Sequence, residues 1–322
     1  MGMCISSSAK SSNIHDEMIK TQQDIYQNAI FIDSSSCRTP IGSVSSQQGQ
    51  KGINQDSAIL QKGFGMDAGV FCGVFDGHGK NGQVASRLVR SWLPGLILNQ
   101  KKAISSLDLV FNKDCVEEWS KACVGAYKVM DKELKLQENL DCSCSGTTSV
   151  TVIRQGEDLI IANLGDSRAV LGTRSENGEL MAVQLTTDLK PSVPEEVERI
   201  QKSNGRVFAL KNEPHIPRVW LPDQDFPGLA MTRAFGDFDL KDFGLTAIPQ
   251  ISHHHLNIND KFVILASDGV WDVLSNQQVV SIVSSSRPET AAREVVDAAV
   301  NSWKQKFPSS KMDDISVSCM FF

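Results

Sequence analysis

A mostly antiparallel α+β sandwich is the fold class that the sequence predicts. Strand-like runs come in blocks instead of alternating strictly with helices, which argues against a parallel βα sheet. Helix-period segments come in pairs, one pair ahead of the main strand block and one near the C-terminus. Aspartate supplies 24 of the 38 acidic residues. It favours caps, turns and cation sites, where glutamate favours helix interiors.

Residues 1–37 are polar and Ser-rich without a core pattern and are expected to form a tail; residues 38–322 are expected to form one folded domain. Gly69–Phe75 is an apolar run and a strand. A glycine turn and a helical pattern from Gln83 to Leu98 follow, interrupted at Pro94. Val116, Trp119, Cys123, Ala126, Met130 and Leu134 step by three and four along an amphipathic helix. Thr148–Arg154, Leu159–Leu164 and Ala169–Gly172 are three close strands, and the tight Gly165–Ser167 turn makes them an antiparallel meander. Met181–Leu185 is a further strand. Ser192 and Glu195 have capping-box spacing and start a helix to about Lys202. Ser203–Pro249 is rich in Pro, Gly and charge, and long irregular stretches inside a domain are usually functional loops. Phe262–Ala266 is a buried strand, Ser275 with Gln278 and Ser286 with Glu289 cap two helices, and Ile315–Phe322 is the last strand.

The chain has 322 residues, 41% apolar and 22% charged, which is ordinary for a folded domain with a sizeable core. No apolar run reaches the ~18–20 residues of a membrane-spanning helix. A net charge of −6 argues against nucleic-acid binding, which wants a basic face. The eight cysteines show no zinc spacing, there is no secretory h-region, and a reducing intracellular compartment is expected. None has an arginine six positions later, so the thiol-phosphatase loop is missing. At the N-terminus Gly2 with Ser6 matches a myristoylation pattern, and Cys4 is placed for a second acyl chain. Two chains hold a membrane stably where one does not. Peripheral plasma-membrane contact is expected if Gly2 and Cys4 are acylated, and a cytoplasmic or nuclear protein otherwise.

The aspartates are not scattered. Asp76, Asp166 and Asp268 each follow a strand, Asp313 and Asp314 precede the last one, and Asp56 ends the Lys51–Asp56 segment. In shared antiparallel sheets these ends can converge on one rim, where carboxylates repel unless cations neutralise them. Hard oxygen ligands select Mg2+ or Mn2+, so a two-metal site is one reading and ordinary strand-end turns the other. The Asp76–Gly79 turn adds a bare carbonyl at Gly77 and an imidazole at His78, an acid/base candidate.

Gly73–Gly79 (GVFDGHG) resembles the signature of the metal-dependent serine/threonine protein phosphatases of the type 2C class. Ser145–Thr148, Ala162–Arg168, Leu229–Asp237, Ala266–Asp272 and Asp313–Ser316 match the family's later motifs in order, over about residues 40–322. Lys51–Asp56 and Val219–Asp225 look like a plant branch. The resemblance implies an α-β-β-α sandwich of two antiparallel sheets flanked by antiparallel helix pairs, with the metal site at one rim. It implies hydrolysis of protein phosphoserine and phosphothreonine by a hydroxide bridging two Mg2+ or Mn2+ ions. Asp76 would bridge the ions, the Gly77 carbonyl would bind one, and Asp268 and Asp313 would complete the other's shell. Asp166 would help a weaker third ion, Asp56 would hold bound water, and His78 would protonate the leaving alkoxide. The family's phosphate-binding arginine is Lys51 here, which loses the bidentate fork and keeps the charge. Its usual carboxylate beside Asp56 is Gln55. The implied partners are phosphoproteins, and the implied state is a monomer.

The rival reading is a catalytically weak or inactive pseudophosphatase that binds partners. Gly77-x-Gly79-x-x-Gly82 imitates a dinucleotide fingerprint without the acid expected about twenty residues on. Asp242–Gly244 imitates a kinase motif without a His-Arg-Asp loop. His253–His255 has transition-metal chemistry, but with no flanking Cys or further His an exposed turn is the favoured reading.

Overall fold

Two facing β-sheets form the centre of the protein, and the strand pattern shows why. The computed structural model describes residues 28–34, 40–107 and 115–322, so Gly2, Cys4 and most of the expected tail lie outside the described residues. The first sheet runs β1 (Ala29–Asp33), β3 (Ser57–Lys62), β4 (Val70–Phe75), β7 (Ser149–Gln155), β8 (Asp158–Leu164) and β15 (Gln250–His255). The second runs β10 (Leu180–Gln184), β9 (Arg168–Arg174), β16 (Asp260–Ala266), β17 (Ile315–Phe321) and β2 (Gly42–Gln47). Every pairing in them is antiparallel except β1 with β3.

Strand alternation builds three apolar layers. In β4 every residue is buried. Phe71 and Phe75 face helices α1 (Gly82–Leu107) and α2 (Cys115–Lys135), while Val70, Cys72 and Val74 face the second sheet. In β16, Val263 and Leu265 face the first sheet, and Phe262, Ile264 and Ala266 face the C-terminal helices. The result is the α-β-β-α order.

Several local expectations change. Helix α1 runs through Pro94 to Leu107, because Ala85, Val89, Leu93 and Ile97 keep one buried stripe that outweighs the missing N–H. Strands β8 and β9 are not paired neighbours: the Gly165–Ser167 turn carries the chain from the first sheet to the second. Strand β1 lies inside the stretch read as tail, held by its parallel pairing with β3. Helix α3 (Pro194–Lys202) is capped at Val193 with Pro194 in its first turn, and Ser192 makes no cap.

Within 203–249 a small sheet of β11 (Arg206–Ala209), β12 (Pro217–Trp220) and β13 (Pro227–Leu229) forms, followed by the short α4 (Phe238–Lys241). Trp220 is a packing residue in it, stacked on Phe208 at 5.0 Å. The turn α5 (Asp268–Trp271) leads to α6 (Asn276–Ser285), where the Ser275–Gln278 capping box is formed. Ser286 instead ends α6, and α7 (Ala291–Lys306) begins after Thr290; both hydroxyls bond Glu294, at 2.6 and 2.7 Å. His253–His255 lies in an edge strand, not a turn. Among the described residues no helix is long and apolar enough to cross a membrane.

Candidate active site

Strand register brings the acidic residues together. Ser57 pairs with Phe75, Ser149 with Leu164, Arg168 with Ala266, and Ala266 with Val317. The residues just past these pairs are Asp56, Asp76, Asp166, Asp268 and Asp313, so they share one rim of the sandwich. Asp76, Gly77, His78, Asp166, Asp268, Asp313 and Lys51 all line one cleft of about 660 Å³, with Lys190, Asp237 and Asp272. Asp56 is buried just behind it, accepting a 2.7 Å bond from the Ser267 hydroxyl.

The motif serines and threonines fix Asp76 from both sides. Its N–H donates to the Thr148 hydroxyl at 3.1 Å, and its carbonyl accepts from the Thr148 N–H at 2.9 Å and the Thr147 hydroxyl at 3.0 Å. Thr148 in turn bonds Ser167 at 2.8 Å, tying Asp76 to the crossover that carries Asp166. Asp314 is an anchor: its two oxygens accept the N–H groups of Gly49 and Gln55, each at 2.8 Å, and so shape the loop that presents Lys51. Lys51 bonds Asp313.

Electrostatics mark the cluster. Burial, and then the charges of Asp56, Asp268, Asp313 and Asp166, hold the Asp76 carboxyl well above the usual carboxylate range. Burial and the charges of Asp166, Asp313 and Asp272 do the same to Asp268, with Lys190 opposing. Asp56 is pushed up to about 7 by burial, against the Ser267 bond and together with Asp314 and Asp313. Partial burial pulls the Lys51 ammonium down, but its bond to Asp313 and the charges of Asp313, Asp268 and Asp76 outweigh it and raise its pKa. Lys190 lies 3.5 Å from Asp166, whose other oxygen is buried without a hydrogen-bond partner.

This donor set fits hard divalent cations: several mutually repelling carboxylates beside bare backbone at Gly77. A Cβ on Gly77 would stand 2.4 Å from the Gly82 carbonyl oxygen and 2.5 Å from that of Gln55, so no side chain fits there. No three cleft carboxylates bring ligand atoms within 4.8 Å of one another; among the described residues only Asp158, His253 and His255 do so.

A second small sheet positions the imidazole. Its strands are β5 (Gly77–His78), β6 (Gly146–Thr147) and β14 (Phe235–Gly236), with β6 in the middle. His78 Nε2 lies 2.6 Å from Asp237 Oδ2, and Nδ1 is buried without a hydrogen-bond partner. Burial pulls the imidazole down, but the charge and hydrogen bond of Asp237 and the charge of Asp166 outweigh it and raise its pKa. Asp237 has φ 48°, the left-handed region that Asp and Asn tolerate best among side-chain-bearing residues.

A model of the protein phosphatase 2C family matches residues 42–306. The chain belongs to the protein phosphatase 2C family. It is thereby a metal-dependent protein serine/threonine phosphatase, and its relatives include many plant members. It is 49% identical to "Probable protein phosphatase 2C 72" of Arabidopsis thaliana, covering 100% of this chain and 98% of that one. It is 47% identical to "Probable protein phosphatase 2C 12" of Oryza sativa subsp. japonica, covering 100% and 91%. Among solved structures it resembles serine-threonine phosphatase 2C from Toxoplasma gondii, with a TM-score of 0.78 and 27% identity over 88% of this chain and 98% of that one.

Within this protein phosphatase 2C, the sequence located the acids and His78 but assigned no role to Asp237, Asp272 or Lys190. Asp237 and Asp272 sit in matching motifs, which was a usable signal. Lys190 follows a strand-free segment with no pattern to single it out.

Proposed function

We propose that the chain hydrolyses protein phosphoserine and phosphothreonine with water as the nucleophile, using two Mg2+ or Mn2+ ions in the rim cleft. The observation that carries this is the convergence of Asp76, Asp268 and Asp313 with His78 on one cleft. Asp76, the Gly77 carbonyl, Asp268 and Asp313 would hold the ions, and Asp56 behind them would accept hydrogen bonds from bound water. When bound, the ions neutralise phosphate charge and supply a water ionised near neutral pH. Lys190 competes for Asp166 with any third ion.

The chain's own groups do the rest. Asp237 holds His78 Nε2 and favours the imidazolium, which would protonate the departing serine or threonine oxygen. Lys51, bonded to Asp313 at the same cleft, would offer a point charge to the phosphate and lacks the bidentate fork of arginine. Release of phosphate from a phosphopeptide should require Mg2+ or Mn2+, vanish in chelator, and vanish with Asp268→Asn. A rate indifferent to all three overturns the reading and leaves a partner-binding role.

His78→Ala should slow phosphopeptide turnover by about 10²-fold or more, the ordinary contribution of a positioned acid. p-Nitrophenyl phosphate, whose leaving group needs no proton, should lose much less. Equal losses on both substrates argue against the acid role.

Gly146 pairs with His78 on one side and with Gly236, the residue before Asp237, on the other. A Cβ there would lie 2.1 Å from the Phe235 carbonyl oxygen, 2.5 Å from Asp237 Oδ2 and 3.1 Å from His78 Nε2. Gly146→Ala should therefore cost about 10²-fold in kcat, the scale of a ~1 Å misplacement of reacting groups. Gly95→Ala, where a Cβ meets nothing within 4 Å, serves as the control and should keep the wild-type rate.

A further inference from the structure

Strand β15 closes the first sheet, and its histidines do not belong to the rim cleft. His253 and His255 are two residues apart on a strand, so their side chains leave the same face. That face is the outer one: Ile251, next in the same row, packs against the helix-side core that also contains Ile160. On the neighbouring strand, Asp158 is the register partner of His255, and Ile160 that of His253. Asp158 Oδ1 receives both imidazoles, His253 Nε2 at 2.8 Å and His255 Nδ1 at 2.9 Å. Among the described residues, these three form the one set of three or more His, Cys, Asp or Glu side chains whose ligand atoms all lie within 4.8 Å of one another.

We propose that Asp158, His253 and His255 form a transition-metal site of the Zn2+ class on the outer edge of the first sheet. Two imidazoles and one carboxylate are the donor set of open zinc sites, with Zn–N near 2.0–2.1 Å and Zn–O near 2.0–2.2 Å. Imidazole nitrogen selects zinc, cobalt or nickel over the hard cations that suit the cleft. The support around the ligands fits as well. Glu157 Oε2 stands 3.7 Å from His255 Nε2, placed as a carboxylate partner for the nitrogen that would not ligate. Side-chain exposures of 32% for Asp158, 37% for His253 and 63% for His255 leave the ion open to entry and to water ligands. His254 points to the opposite face and bonds Asp260 at 2.9 Å, so it takes no part.

The competing account is that the histidines are only hydrogen-bonded to Asp158 and blunt an exposed sheet edge. Equilibrium dialysis of the untagged full chain against Zn2+ in excess Mg2+ decides between them. The wild type should bind an additional equivalent of Zn2+ that His253→Ala/His255→Ala lacks or binds at least tenfold more weakly. Asp76→Asn should keep that equivalent, which separates it from ions in the cleft. The double variant should retain its Mg2+-dependent rate, showing that it folds. Zn2+ stoichiometry and affinity identical in the wild type and the double variant would overturn the proposal. So would loss of the equivalent with Asp76→Asn alone. Neither result bears on the cleft mechanism, which is read by Mg2+ dependence.

Discussion

Asp76→Asn should lower the metal-dependent rate on a phosphopeptide by about 10³-fold or more and should make the protein more stable in chelator. Both effects come from one charge. A divalent cation contributes several kcal/mol of transition-state stabilisation, and about 1.4 kcal/mol is a factor of ten in rate. Asp76 is the carboxylate whose surroundings include Asp56, Asp268, Asp313 and Asp166, so its loss disturbs every proposed metal contact. With the cations chelated, the same charge is a liability, because it is buried among like charges. Asparagine keeps the shape and removes the repulsion, while the backbone bonds from Thr147 and Thr148 are untouched. Steady-state phosphate release with a Mg2+ titration reads the first effect, and thermal unfolding in EDTA reads the second. A variant that is both inactive and less stable in EDTA would show that Asp76 acts as a structural residue instead.

The layered fold was legible because burial writes a period into the sequence. Gly69–Phe75 and Phe262–Ala266 are apolar at every position, as strands covered on both faces must be. The positions of Asp76, Asp166 and Asp268 after such runs were equally legible. Their convergence on one rim followed only if the strands shared antiparallel sheets, and that depends on which strands pair. The Gly165–Ser167 turn looked like a hairpin and is a crossover between sheets; two strands of like composition on either side of a glycine turn carry no mark of which sheet each will join. The helix over Gln83–Leu98 was read with an interruption at Pro94 that the structure lacks, for a related reason: propensity is local, and the burial of Leu93 and Ile97 that overrides it is tertiary. Caps at Ser192 and Ser286 failed because spacing alone cannot say whether the helix has begun. His78 was singled out by its glycine turn, yet its partner Asp237 lies 159 residues away and is reached only through the pairing of β5, β6 and β14.

Glu196 is where the largest stability effect is expected. It sits in the first turn of α3 and is 3% exposed. Its Oε1 accepts Arg199 Nη1 at 2.6 Å and Arg233 Nη2 at 2.7 Å; its Oε2 accepts the Thr232 hydroxyl at 2.6 Å and Arg233 Nε at 3.0 Å. Arg233 reaches on to the Ile248 carbonyl at 2.9 Å, and Arg199 to those of Thr232 and Gly244, at 2.8 and 2.9 Å. The carboxylate therefore ties α3 to the segment that ends in Asp237 and to the strand entry beyond it. Glu196→Ala leaves two guanidinium groups facing each other without a counter-charge, a loss of about 3–5 kcal/mol. Burial alone would raise the Glu196 pKa, but its bonds to Arg233, Arg199 and Thr232 outweigh that and lower it to about 2. A carboxylate depressed in the folded state stabilises fully above its unfolded pKa, near ~4.3, and loses that contribution as pH falls toward about 2. Wild-type stability should thus fall across this window, and Glu196→Gln should fall less steeply from a lower starting point. Urea unfolding of the three proteins between pH 7 and pH 3 tests both statements. Glu196→Ala unfolding within about 1 kcal/mol of wild type would mean that the network is a solvent-screened surface cluster and that Asp237 is positioned by the β5–β6–β14 sheet alone.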